Sequence, residues 1–428
     1  MVKLSLLASA AAIALTSGAA SAQELVIWHD KGDDGLALVD ALSEQFAASH
    51  PDVTVTSVSM PTDQWFSKSI AALNTRTGPD IIFNDNSRIA TVMQSTGKLC
   101  NLSDIVEGLP ADDRAHLNEG DIAAATLSGE VIMMPFQRVI TGWGARKSWL
   151  DAVGEEFPLT WEDTLRVAKK FQEMDPDGNG KDDTYGMALQ GGNAGSMVGA
   201  GTKLFAMGGN RAPHDLMTEE GEVTLSDPQV ATPVEEYLKV YTDYRLVSPD
   251  TVNHTFTDMY QLIEGGRAGL FRVGNWNVGK WDREALKGDY VVGPFPSFDE
   301  GTEGAMLVVT VRGMAVVCDG ENADLAKEFV KLIVTKDAQQ ASLDKMGGVV
   351  RGDLDISGVT PSLKPFVDGS YPLQTDDFMS AVHPWYQELI DAFYVELNNA
   401  VANPPSDWDA WIAETQEKLQ SKVNELNG

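Results

Sequence analysis

The chain opens, after its first two dozen residues, on alternating blocks of two hydrophobic periods. Leu25-Val26-Ile27-Trp28 is a short continuous apolar run of the kind that forms a strand buried on both faces. Leu36, Val39, Leu42 and Phe46 then recur at helical spacing, and His50-Pro51-Asp52 breaks the helix. Val53-Thr54-Val55-Thr56 reads as a second strand. Trp65, Ile70 and Leu73 mark a second helix, and Gly78-Pro79 turns the chain into a third strand, Asp80-Ile81-Ile82-Phe83. This β-α-β-α-β order predicts an open, doubly wound sheet.

Met133-Met134-Pro135-Phe136 is the candidate boundary where the pattern changes. Beyond it, Thr160 stands where it can cap the amide of Asp163, ahead of a stripe of Leu165, Ala168 and Phe171. Further helical stripes cover 233–244, 323–334 and 407–426, the last announced by Ser406-x-x-Asp409. Asn403-Pro404-Pro405 is a short rigid connector, and no internal repeat is visible.

Residues 1–22 stand apart. Lys3 precedes an apolar run over 4–15, and Ala20-Ser21-Ala22 is a small-residue cleavage site, so the mature chain is expected to start at Gln23. No later stretch reaches the roughly 20 apolar residues of a bilayer crossing. The expectation is a soluble protein secreted to the periplasm through a cleaved signal peptide. In that oxidising compartment Cys100 and Cys318 could form one disulfide or stay as two buried thiols.

Without the leader, roughly 400 residues remain, two domains of ordinary size. The formal charge is −31, from 63 acidic and 32 basic residues. Such a field disfavours nucleic acid and anionic membrane surfaces as partners. With 43% hydrophobic residues the chain is globular rather than disordered.

Candidate chemistry gathers at predicted element ends. Trp28-His29-Asp30-Lys31 closes the first strand, where open α/β sheets bind ligands, and Asn84-Asp85-Asn86 closes the third. Trp65 follows Asp63-Gln64. Rings that stack on sugar C–H faces, beside planar polar groups that pair with hydroxyls, suit carbohydrate recognition. Ser196 lies in a glycine-rich loop that lacks the Lys-Ser/Thr ending of a phosphate cradle. Over 175–186, Asp175, Asp177, Asn179 and Asp183, with the Lys181 carbonyl and Gly180 at the turn, read like a calcium loop. Gly186 stands where the bidentate Glu belongs, so a structural turn is the other reading. No cofactor is required.

The order of motifs resembles family 1 extracellular solute-binding proteins, the maltose-binding-protein-like group of ABC importers. It is carried by strand 25–29, Phe46-x-x-x-His50-Pro51-Asp52-Val53, Thr77-Gly78-Pro79-Asp80-Ile81, Pro158-Leu159-Thr160-Trp161-Glu162-Asp163 and the 175–186 loop. Gly266-Arg267-Ala268-Gly269-Leu270 leading to Gly274-Asn275-Trp276, Gly293-Pro294-Phe295-Pro296 and Ala326-Lys327-Glu328-Phe329-Val330 complete it. The resemblance implies the periplasmic-binding-protein type II fold: two doubly wound α/β lobes joined by a hinge of several crossovers. Lobe one would be 23–133 with 306–345, and lobe two 134–305 with 346–428. It also implies a small-molecule ligand in the cleft, probed by Asn275 and Trp276, hinge closure, and docking on ABC permease membrane subunits, with the binder itself a monomer. Arg138, Arg272, Arg312 and Arg351 fall near the crossovers or the cleft edges; two converging would favour an anionic sugar. The competing readings are a binder of cationic cargo such as a polyamine, and a secreted glycoside hydrolase built on two carboxylates. No G-x-S-x-G, H-E-x-x-H or P-loop pattern supports an enzyme.

Overall fold

The computed structural model describes residues 23–191, 201, 205, 208–209, 216–218, 220–299, 301–375 and 385–427. The leader at 1–22 and Ser196 lie outside the described residues. Among the described residues no helix is long and apolar enough to cross a membrane.

The first three strands form as their apolar runs predict. β1 (Gln23–His29) pairs in parallel with β2 (Val53–Ser59) on one side and β3 (Ile81–Asp85) on the other. Leu25, Ile27, Ile81, Ile82 and Phe83 are completely buried. Between them, α1 (Gly32–Ala47) buries Leu38, Val39, Leu42 and Phe46, the predicted stripe. α2 (Thr62–Thr75) buries Trp65, Ser69 and Leu73, four residues apart and therefore on one face. α3 (Asn86–Thr96) follows β3 directly.

At Met133–Phe136, where the sequence pattern changes, β4 (Met134–Ala145) begins, twelve residues of continuous strand. Every residue of β4 but Arg138 is buried, so no alternation advertised it. Its antiparallel partner is β8 (Met306–Val316), with Met134 opposite Met314 and Thr141 opposite Leu307. Pro135, which has no N–H to give the ladder, sits beside the register shift between Arg312 and Gly313. β5 (Tyr185–Ala188), β6 (Ala268–Gly274), β7 (Val291–Gly293) and β9 (Leu373–Thr375) complete the sheet. Its order is β2-β1-β3-β8-β4-β6-β5, with β7 on β4 and β9 on β8.

The two long strands thread separate hydrophobic clusters. Met134, Phe136 and Val311–Val316 residues join the cluster around β1–β3. Trp143 and Leu307 join one built on Phe171, Phe205, Phe295 and Leu419, while Ile140, Met306 and Val308 join one built on Phe271 and Trp281. The second cluster is flanked by α4 (Trp161–Glu173), whose Thr160 hydroxyl accepts from the Asp163 amide at 3.1 Å, and α5 (Pro228–Thr242). The C-terminal helix, Trp408–Asn427, is capped one residue later than its signal suggested: Asp407 Oδ1 accepts from the Ala410 amide at 3.0 Å. Cys100 and Cys318 are disulfide-bonded, beside the bridge between Leu99 and Val317.

Candidate ligand-binding site

A cleft of about 480 Å³ opens where the ends of β1 and β3 meet the middle of β8. One wall is ionic. Asp30 and Lys31 follow β1, Asp85 ends β3, Arg88 lies in the first turn of α3, and Arg312 comes from β8. The other wall is aromatic. Phe256 and Tyr260 stand four residues apart on α6 (Phe256–Glu264), and Trp276 opens α7 (Asn275–Lys280) directly after β6. Tyr260 Oη accepts from Trp276 Nε1 at 3.3 Å. Met346, at the end of α8 (Lys336–Met346), closes one side.

The ionic wall is a network. Lys31 Nζ lies 2.7 Å from Asp30 Oδ1 and 3.5 Å from Asp85 Oδ1; Arg88 Nη1 reaches Asp30 Oδ2 at 2.7 Å. Burial alone would raise the Asp85 carboxyl, but Lys31 and Arg312 outweigh it and hold the group below its ordinary range. Asp30 behaves alike: burial opposes, Lys31 and Arg88 win. Burial and the nearby Arg312 lower the Lys31 ammonium. Both carboxylates therefore stay ionised and compensated.

Of the residues singled out in the sequence, Asp30, Asp85, Trp276 and Arg312 meet in this cleft. Arg272 stands against its aromatic wall, its guanidinium carbon 5.6 Å from the Trp276 ring centre and 5.7 Å from that of Phe256. The others are occupied elsewhere. Trp28 is half-buried and packs on the first cluster, and Trp65 is completely buried within it. His29 is also fully buried; its Nδ1 accepts from the Lys31 amide at 3.1 Å, and burial pulls the imidazole down to about 4. Asn86 donates to the Ala124 carbonyl and accepts from the Thr310 hydroxyl. Arg138 is forked onto Asp121 at 2.9 and 2.7 Å. Arg351 is not at a cleft edge: its side chain is fully buried and held by Asp112, Asp113 and Asp353. Asn275 is a clasp. Its amide nitrogen donates to the carbonyls of Arg138 and Gly347, and its oxygen accepts from the Ile140 amide.

A larger cavity, about 670 Å³, adjoins the cleft and shares Asp34, Trp276 and Met346 with it. Trp276 is the one ring in its wall, and β1, β3 and β8 contribute nothing to it, so the smaller cleft is the better candidate. Arg88, Phe256 and Tyr260 were missed because helix residues give no strand-end signal. Lys31 was legible only as the neighbour of Asp30.

The 175–186 loop turns its acids inward. Asp175 accepts from the amides of Asn179 and Gly180, Asp177 from that of Asn179, and the Asn179 side chain donates to Asp177 and Asp183. A side chain at Gly186 would begin 2.6 Å from the Ala168 carbonyl oxygen, so packing forbids the missing Glu. Among the described residues no group of three or more His, Cys, Asp or Glu is placed to hold a metal.

A family model described as bacterial extracellular solute-binding protein matches residues 29–340. A polygalacturonan/rhamnogalacturonan-binding protein of Bacillus subtilis is 28% identical over 216 residues, 48% of this chain and 41% of that protein. The chain thus spans less than half the length of this curated relative. Among solved structures, an ABC transporter solute-binding protein from Thermotoga lettingae bound with α-D-tagatose aligns at a TM-score of 0.74 and 16% identity, covering 95% of this chain and 100% of that one. The cyclic α-maltosyl-1,6-maltose-binding protein from Arthrobacter globiformis aligns at 0.72 and 18%, covering 94% and 99%. These likenesses establish the type II periplasmic-binding-protein fold that the motif order implied.

Proposed function

The chain belongs to the bacterial extracellular solute-binding proteins, and from that premise we propose that it captures a small carbohydrate in the cleft and delivers it to an ABC importer. The observation that carries this reading is the pairing of a ring-bearing wall, Trp276, Tyr260 and Phe256, with a polar wall, Asp30, Lys31, Asp85 and Arg312. Sugar rings stack on the first and offer hydroxyls to the second. On this reading the chain is two lobes, 23–133 with 306–345 and 134–305 with 346–428. Ligand shifts the population toward a closed form, and β4 and β8, which thread from one hydrophobic cluster to the next, supply the crossovers. The leader pattern at 1–22 supports export to the periplasm, where the protein works as a soluble monomer that meets the permease subunits and performs no catalysis.

The competitors have less support. A polyamine needs unpaired carboxylates, but Asp30 and Asp85 are each already paired with cations. A glycosidase needs one carboxyl held protonated, whereas both of these are held below their ordinary range. The test is a thermal-shift screen of the chain from Gln23 against sugars, polyols, sugar acids and polyamines. A ligand that binds only the native state adds about 2.7 kcal/mol at 100 times its dissociation constant. A shift confined to carbohydrates supports the reading, and a shift with polyamines alone overturns it.

A further inference from the structure

Among the described residues, the arginines are almost all neutralised. In and around the cleft, Arg88 faces Asp30, Arg312 faces Asp85, and Arg283 lies 3.5 Å from Asp34. Farther away, Arg138 and Arg351 are held by aspartates, and Arg146 faces Asp289. Arg245 and Arg267 have no carboxylate partner among the described residues, but both are exposed and water solvates them.

Arg272 is different. It is half-buried on β6, and among the described residues no carboxylate faces it. Its Nε donates to the Thr141 hydroxyl at 3.0 Å, which fixes the plane of the guanidinium. Its guanidinium carbon lies 5.7 Å from the Phe256 ring centre and 5.6 Å from that of Trp276, two of the three rings of the cleft wall. The two terminal nitrogens make no hydrogen bond among the described residues, and they form the end of the fork that grips a carboxylate through two parallel N–H bonds. A guanidinium drawn this far from water, without a counter-ion, is costly unless something anionic joins it. Counting Arg272 against its aromatic wall, the cleft gathers four cations, Lys31, Arg88, Arg272 and Arg312, against three carboxylates, Asp30, Asp34 and Asp85, in a chain whose formal charge is −31. That local reversal of sign is what an anionic ligand would meet.

We infer that the ligand is an acidic carbohydrate, a sugar whose carboxylate seats on the terminal nitrogens of Arg272 while its ring lies along Trp276. This deepens the carbohydrate reading above and rests on it. Uncharged sugars would leave Arg272 without a counter-ion in the closed cleft.

The experiment is titration calorimetry of the full mature chain with matched pairs: galacturonate and galactose, glucuronate and glucose, and the corresponding disaccharides. Hexose 6-phosphates and a hexose 6-sulfonate form a third arm. Wild type should prefer the acidic member of at least one pair by tenfold or more, and raised salt should reduce that preference. Arg272→Gln should lose at least tenfold of the acidic sugar's affinity, with Arg272→Lys intermediate because it keeps the charge but not the fork. Melting curves on each variant report folding; if Arg272→Gln does not fold, Arg272→Lys and the wild-type pairs decide alone. Neutral sugars bound as tightly as their acids would overturn the inference and leave the carbohydrate reading intact. So would an acidic sugar whose affinity ignores both substitutions. A phosphate or sulfonate bound in preference to every uronate overturns the carboxylate assignment. Failure of every carbohydrate, neutral or charged, overturns the function proposed above as well.

Discussion

Arg312 and Asp85 sit directly opposite each other across the β3–β8 pair, with Arg312 Nε donating to Asp85 Oδ1 at 2.9 Å. The contact ties the end of a strand near the N-terminus to one more than two hundred residues later. It also fixes the polar floor of the cleft, because Lys31 leans on the same carboxylate oxygen. Asp85→Asn keeps the shape and removes the charge, leaving Arg312 and Lys31 against one another. Breaking a fully buried pair costs about 3–5 kcal/mol. Asp85 keeps 23% side-chain exposure, so water screens part of that, and the expected loss is about 2 kcal/mol by urea unfolding. A change below a few tenths would mean the network contributes nothing to stability.

The Cys100–Cys318 bond spans 218 residues of chain and closes the edge of the first cluster, where Leu99 and Val317 bridge. Bonds that close long loops restrict the unfolded chain most, with typical losses of about 2–5 kcal/mol on removal. Cys318→Ser and reduction of the wild type should therefore lower the melting temperature by similar amounts. Thiol titration of the oxidised protein under denaturing conditions should find no free thiol. Two free thiols would remove the bond from the account.

His29 makes stability depend on pH in a defined window. Burial, outweighing Asp30, holds its imidazole at about 4, below the ordinary value of 6.5. The unfolded chain takes up a proton as pH falls through 6.5, while the folded chain resists until about 4. The stabilisation is complete above pH 6.5 and is lost as pH falls toward 4, by roughly 3 kcal/mol across the interval. His29→Gln should flatten this slope while leaving the steeper carboxylate loss at lower pH. Parallel curves for variant and wild type would show that His29 titrates normally.

The N-terminal β-α-β-α-β unit was legible because β1 and β3 read as short unbroken apolar runs, Leu25–Trp28 and Ile81–Phe83, and β2 between them in sequence alternates Val with Thr. Burial on both faces hid β4. Continuous burial from Met134 to Ala145 gives no alternation, and nothing local says that such a strand passes from one cluster to the next. The cleft was half legible for a similar reason. Asp30 and Asp85 announce themselves at strand ends, where the sheet geometry places ligands. Phe256 and Tyr260 do not, since a four-residue spacing on a helix fits a core face as well as a cleft wall. The arginines show the limit most sharply. Arg138 and Arg351 looked as free as Arg272 in sequence, but Arg138 meets Asp121 17 residues away, and Arg351 meets Asp113 238 residues away. Only folding tells which cation is left over.

Asn275 and Trp276 are adjacent, yet the structure gives them opposite work, and one pair of variants separates the two. The Asn275 side chain satisfies the Arg138 and Gly347 carbonyls and the Ile140 amide inside the protein. Asn275→Ala leaves buried backbone groups unpaired and should cost about 2–3 kcal/mol of stability. Trp276 is half-buried, and its ring faces the cleft beside Tyr260 and Arg272. Trp276→Ala should leave stability within about 1 kcal/mol, the scale of a substitution away from the core. It should weaken ligand binding by roughly 2–4 kcal/mol, the loss expected of an aromatic anchor, and Trp276→Phe should recover part of it. Ligand should also change the tryptophan fluorescence of the wild type, and that response should shrink in Trp276→Phe. If Asn275→Ala abolishes binding at full stability while Trp276→Ala binds normally, the roles are reversed and the aromatic wall is not where the ligand lies.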